Sequence, residues 1–197
     1  IHDANTKRTT GRNWLVSSHT LGELNTLDAG KWKHKKWTGE KIPALEEILT
    51  ILPANKTLTL EIKCGVEAIS PLKQALKQAN DLSVAIASFA LPVAAETKRE
   101  LPETPAYWIC DFKKNLLRQG WRPNAEELIK KAKAEGLDGL YLRACRAITP
   151  SLVSTIKDAG LSLHVWTVNS PALARKMIQL SVDSITTNRP GWLREKI

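Results

Sequence analysis

LDGLYLRACRAITPSLVSTIKDAGLSLHVWTVN, residues 137–169, decides the fold. One apolar run, LDGLYLRA (137–144), opens the stretch and a second, LSLHVWTVN (161–169), closes it. Between them lies TPSLVSTIKDAG (149–160). Thr149 is placed to cap a helix, Pro150 stands at the first helical position and Gly160 is the stop. A helix of this kind between two strands returns the chain to the end it started from, so the two strands run parallel.

Working outward, the same unit repeats. Upstream, helical spacing covers IPALEEILTIL (42–52), SPLKQALKQAND (70–81), PVAAETKREL (92–101) and NAEELIKKAKAEG (124–136), the last capped by Asn124 and stopped by Gly136. Strands are expected at KTLTLEIK (56–63), LSVAIASF (82–89) and PAYWICDF (105–112). Downstream follow a helix, SPALARKMIQLS (170–181), and a last strand, VDSITTN (182–188). Strands alternating with helices build either an open doubly wound sheet or a (β/α)8 barrel. No glycine-rich phosphate fingerprint follows any strand, which counts against the dinucleotide-binding form. Polar and aromatic residues gather at the C-terminal strand ends, where barrel enzymes build their sites: Glu61 and Lys63, Ser88, Asp111, Arg143, Trp166 and Asn169. The expectation is a TIM (β/α)8 barrel represented by six of its strands, since a whole one has eight in about 250 residues.

Bulk composition fits one globular domain over residues 1–197: 43% hydrophobic and 25% charged residues, with no apolar run of membrane-spanning length. Three cysteines cannot all pair internally, which favours reduced thiols and a cytoplasmic setting. Residues 3–41 break the rhythm and read as an excursion at the barrel mouth. They contain KWKHKKW (31–37), a share of the +9 net charge. This stretch could serve a nucleic acid or an anionic lipid. No nucleic-acid fold motif accompanies it, so it reads as a solvated face, and no nucleic-acid partner is expected.

Strand alternation puts Glu61 and Lys63 on one side, toward the mouth. A carboxylate there can hold a hard cation and the lysine can meet a phosphate, or the two can form a plain salt bridge. His164, Trp166 and Val168 share a face. Trp166 is either a core residue or an apolar wall for a small ligand. His164 reads as a hydrogen-bonded interior histidine, while His19 and His34 read as solvated. Cys64, Cys110 and Cys145 fall toward one rim, but without a C-x-x-C pair they do not suggest zinc.

IHD…RTTG at the start, LEIK, the SF of Ser88 and Phe89, WTVN and the closing SITTNRP occur in this order along the whole chain. Together they resemble the glycerophosphodiester phosphodiesterase family. The resemblance implies a metal-dependent (β/α)8 barrel with a small insertion, which hydrolyses glycerophosphodiesters to glycerol 3-phosphate and an alcohol. It implies His2 as one of two acid–base histidines and Glu61 as a ligand of magnesium or calcium. It also implies substrate contacts from Lys63, Phe89 and Trp166. The family's H-R-G motif, with the other histidine, and its E-x-D metal pair do not occur in this sequence. A barrel lacking those first two strands is expected to have open edges, to expose apolar surface there, and to recruit a second copy or a separate N-terminal fragment. The alternative is a catalytically inactive barrel that binds a phosphorylated ligand or a partner protein.

Overall fold

The computed structural model describes residues 1–77, 82–115 and 120–197. It divides into two compact units, Ile1–Pro53 and Ala54–Ile197.

The second unit holds a six-stranded parallel sheet in the order β1-β2-β3-β6-β7-β8. The strands are β1 (Thr57–Glu61), β2 (Ser83–Ser88), β3 (Ala106–Cys110), β6 (Gly139–Arg143), β7 (Ser162–Trp166) and β8 (Ser184–Ile185). Helices α4 (Ile69–Lys77), α5 (Leu91–Glu100), α6 (Ala125–Ala134), α7 (Pro150–Asp158), α8 (Pro171–Gln179) and α9 (Pro190–Arg194) alternate with them. These are six strands of a (β/α)8-type barrel with their helices. Of the helix expected over 70–81, residues 78–81 lie outside the described residues. Strands β4 (Lys113–Asn115) and β5 (Gly120–Arg122) form a separate antiparallel pair that periodicity did not announce. The last strand is shorter than expected, two residues of the SITTN stretch.

The caps at Asn124 and Thr149 are as the sequence indicates, and Ser170 adds a third. Asn124 accepts from the Glu127 amide at 2.9 Å in a capping box, Thr149 accepts from Leu152 at 3.2 Å, and Ser170 from Leu173 at 3.3 Å. Gly136 and Gly160 end their helices at φ of 65° and 77°, a region glycine enters without steric cost.

The core lies between the sheet and these helices. Leu140 and Leu142 of β6 stand opposite Leu163 and Val165 of β7, and all four are fully buried among Leu128, Ile156 and Met177. Alternation then turns Tyr141 and His164 to the other face of the sheet. The two end strands, β1 and β8, each have one strand neighbour among the described residues. Edge strand β1 does not show the apolar surface expected of it: Thr57, Thr59 and Glu61 are its exposed residues, while Leu58 and Leu60 are half-buried. No helix among the described residues is long and apolar enough to cross a membrane.

The first unit contains α1 (Lys7–Thr10), α2 (Leu21–Leu24), α3 (Leu45–Ile51) and two short 3-10 turns. Thr6 is fully buried; its hydroxyl donates to the Arg12 carbonyl and accepts from the Trp14 amide, which closes the loop between them. His34 is exposed as expected. His19 is not simply solvated: it stacks on Trp14 with ring centroids 4.5 Å apart and is half-buried there.

Sheet registration at Gly139 tolerates no side chain. A Cβ there would lie 2.1 Å from Ser162 Oγ and 2.5 Å from its carbonyl oxygen on the neighbouring strand. Gly139→Ala is expected to cost about 1–3 kcal/mol by overpacking. The check is a lower urea midpoint at an unchanged denaturant slope.

Candidate functional site

In the second unit the site residues sit where strands end. Glu61 closes β1 and Lys63 follows two residues later. Both side chains project to one side, and Lys63 Nζ donates to Glu61 Oε1 at 2.6 Å. The pair is 30–35% exposed, open enough to exchange partners with a ligand. Its position is held from behind. The buried Ser88 hydroxyl donates to the carbonyl of Ile62, the residue between Glu61 and Lys63, at 2.8 Å, and accepts from the Ala90 amide at 3.2 Å. Ser88 thus ties the end of β1 to the end of β2.

Phe89 and Trp166 come together edge to face, centroids 5.5 Å apart, and make an aromatic corner. Phe89 is half exposed; Trp108 fixes its backbone by donating Nε1–H to the Phe89 carbonyl at 3.2 Å. Trp166 donates its own Nε1–H to the Tyr141 carbonyl at 3.3 Å. Trp166 is therefore partly exposed on the side that carries the rim, not on the core side. Asn169 of the same motif accepts from the Thr187 hydroxyl at 3.1 Å and the Asn188 amide at 3.0 Å, which binds WTVN to SITTN. Asp111 and Arg143, at the ends of β3 and β6, form an ion pair at 3.2 Å. Sequence reasoning placed these two at the rim without joining them. Trp108 it did not single out at all, and only the Trp–Phe89 contact reveals its use.

His2 lies in the first unit, exposed, with Nδ1 2.8 Å from Asp3 Oδ1. Asp3 Oδ2 accepts from Arg8 Nε at 2.7 Å. The Arg8 hydrogen bond, and after it that from His2, hold the Asp3 carboxyl below its usual range. The result is an exposed imidazole oriented through Nδ1 by a carboxylate. Asp3 had no role in the sequence reading, although its adjacency in the H-D pair was the available signal.

Divalent calcium or magnesium takes six or more oxygen ligands. Glu61 offers one carboxylate, and Lys63 already holds one of its oxygens. Among the described residues no group of three or more His, Cys, Asp or Glu comes together that could hold a metal ion. The described residues of this chain do not by themselves compose the expected cation site. The thiols differ in setting: Cys64 is exposed, Cys145 half-buried, and burial pushes the Cys110 thiol up to about 12.

His164 is the interior histidine the sequence indicates. Nδ1 lies 2.8 Å from Ser184 Oγ and Nε2 3.1 Å from Ser162 Oγ, with the ring stacked on Tyr141 and against Tyr107.

A parallel sheet carrying charged and aromatic side chains at its carboxyl ends is the working end of a barrel enzyme. Within that class the chain belongs to the glycerophosphoryl diester phosphodiesterase family, which it matches over residues 1–192. It is 30% identical to a glycerophosphodiester phosphodiesterase of Caldanaerobacter subterraneus, over 98% of this chain and 77% of that one. It is 28% identical to the Bacillus subtilis protein YhdW over the same shares. Its structure resembles an Oleispira antarctica phosphodiesterase solved in complex with the product sn-glycerol-3-phosphate. That TM-score is 0.85 at 25% identity, covering all of this chain and 77% of that one. An Agrobacterium tumefaciens structure has the same fold, with a TM-score of 0.81 at 21% identity over 98% of this chain and 77% of that one.

Burial lowers the pKa of His164, partly offset by the charge of Asp183; Tyr107 and Tyr141 are the other titratable groups against it. The unfolded chain takes up this proton below about pH 6.5, whereas the folded one resists it. More protons on the unfolded state mean that stability rises with pH. His164's contribution is thus complete above about pH 6.5 and is lost as pH falls toward its folded value. Urea midpoints should drop from pH 7 to pH 5 by more in the wild type than in His164→Gln; equal drops would remove His164 as the cause.

Proposed function

We propose that the protein hydrolyses glycerophosphodiesters to glycerol 3-phosphate and an alcohol. Family membership supports this reading, and so does the glycerol 3-phosphate named as product in the Oleispira structure. The observation that carries it is the Glu61–Lys63 pair on the same strand-end rim as the Phe89–Trp166 corner.

Lys63 is a compact cation for a phosphate oxygen, and Glu61 steadies it until substrate arrives. As the phosphoryl oxygens gain charge toward the transition state, a fixed ammonium stabilises them more than it stabilises the ground state. Phe89 and Trp166 offer an apolar wall to the glycerol carbons. The resemblance assigns the proton for the leaving alkoxide to His2, whose Nδ1 lies 2.8 Å from Asp3 Oδ1. The attacking oxygen, from water or from the neighbouring glycerol hydroxyl, gives its proton to a second base; attack by the hydroxyl expels the alcohol and closes a cyclic phosphodiester, which water then opens to glycerol 3-phosphate. The resemblance assigns that base to an H-R-G histidine, and either histidine can take either role. A bound calcium or magnesium, with Glu61 as one ligand, would supply Lewis-acid charge neutralisation, and any further His, Cys, Asp or Glu ligands would come from outside the cluster the described residues form here.

Release of glycerol 3-phosphate from glycerophosphocholine is the direct test, run with calcium, with magnesium and with EDTA. His2→Ala is expected to lower turnover about a hundredfold or more; a loss under about tenfold ends its general-acid role. Lys63→Met is expected to lower kcat/KM by about a hundredfold, as loss of a transition-state charge contact does. Activity that survives EDTA takes the cation out of the reading. No release, combined with thermal stabilisation by glycerol 3-phosphate, supports the binding-only alternative.

A further inference from the structure

We infer that the loop from Asp28 to Glu40 docks the protein on an anionic lipid surface. This follows from the loop's own geometry and does not rest on the proposed hydrolysis.

The loop is built, not loose. Asp28 Oδ1 accepts from the Gly30 and Lys31 amides and Oδ2 from the Gly39 amide, each at 2.9 Å. The Ala29 amide donates to the Glu40 carbonyl at 2.8 Å. A Cβ on Gly30 would fall 1.9 Å from the Trp37 carbonyl oxygen, so the two sides of the loop close against each other there. What this clamp presents is exposed throughout, from Lys31 to Glu40. Trp32 and Trp37 are 53% and 41% exposed, large apolar surface at the loop tip.

Among the described residues the lysines around these rings are not ion-paired, whereas Arg8 is held by Asp3. Lys31, Lys33, Lys35 and Lys36 form no ion pair among the described residues. Of the loop's two acids, Asp28 is committed to backbone amides, and the exposed Glu40 leaves the four lysines in excess over it. A cation accompanies each indole: Arg8 sits 5.4 Å from the Trp32 centroid and Lys36 Nζ 4.8 Å from that of Trp37.

Tryptophan beside lysine is the composition that settles at the headgroup level of a bilayer, ring inward and ammonium on the phosphates. Each such lysine near an anionic leaflet strengthens binding about fivefold. A single-stranded nucleic acid would instead ask for open ring faces along a groove. Here a cation covers one face of each ring, which favours the lipid surface.

The test is co-sedimentation of the full chain with vesicles of phosphatidylcholine and phosphatidylserine at about 7:3, against phosphatidylcholine alone. Binding is expected only with phosphatidylserine present, and salt should weaken it. The triple variant K33Q/K35Q/K36Q, changed only at exposed positions, should bind about a hundredfold more weakly while its circular dichroism stays that of the wild type. Brominated acyl chains should quench tryptophan emission of the wild type more than that of W32A/W37A. Equal binding to neutral vesicles, undiminished binding by the lysine variant, or preference for an oligonucleotide over the vesicles at the same salt would each overturn the proposal.

Discussion

A strand sends successive side chains to opposite faces, and in the β6–β7 pair that constraint governs the rest. Leu140 and Leu142 must meet Leu163 and Val165 under the helices, because four buried aliphatic side chains together contribute on the order of 6–12 kcal/mol. Tyr141, His164 and Trp166 then have no choice of side. A slip of one residue would drive His164 into an aliphatic layer and put leucines where the rim now lies. The register that fills the core is the register that presents Trp166.

The same rule at β1 aligns Glu61 with Lys63, but there alternation is not sufficient. Lys63 lies past the end of the strand, where the last ladder bond is that from the Ile62 amide to the Ala87 carbonyl at 2.8 Å. The buried Ser88 hydroxyl takes over by gripping the Ile62 carbonyl. Trp108 does the equivalent for Phe89 through its indole N–H. The rim residues and the residues that aim them are thus different, and the aiming residues come from the next strand along.

This division explains what was legible in the sequence. Helix ends were, because Asn124, Thr149 and Gly160 act within a few residues of themselves. So were the faces of Glu61, Lys63, His164 and Trp166, since a two-residue period needs no tertiary knowledge. The Phe89–Trp166 corner and the Asp111–Arg143 pair were not legible as contacts. They depend on which strands are neighbours, and β3 lies beside β6 only because the β4–β5 pair is left out of the sheet. Nothing in residues 113–122 marks a tight hairpin turn of the Asn-Gly or Asp-Gly kind, so that pair gave no local signal.

Net charge, too, hides a distinction that only geometry reveals. At the strand-end rim Lys63 is paired with Glu61 and Arg143 with Asp111. On the loop tip Lys31, Lys33, Lys35 and Lys36 form no ion pair among the described residues. A solvent-accessible ion pair is worth about 0–1 kcal/mol. A phosphate can therefore displace the carboxylate from Lys63 at small cost, and in the meantime the carboxylate keeps the ammonium aimed. Pairing suits a site that must release a charged product; a surface that must hold many weak headgroups gains from leaving its lysines free. Among the chain's 29 lysines and arginines, the two named at the rim are thus ion-paired and the four on the loop tip form no ion pair among the described residues.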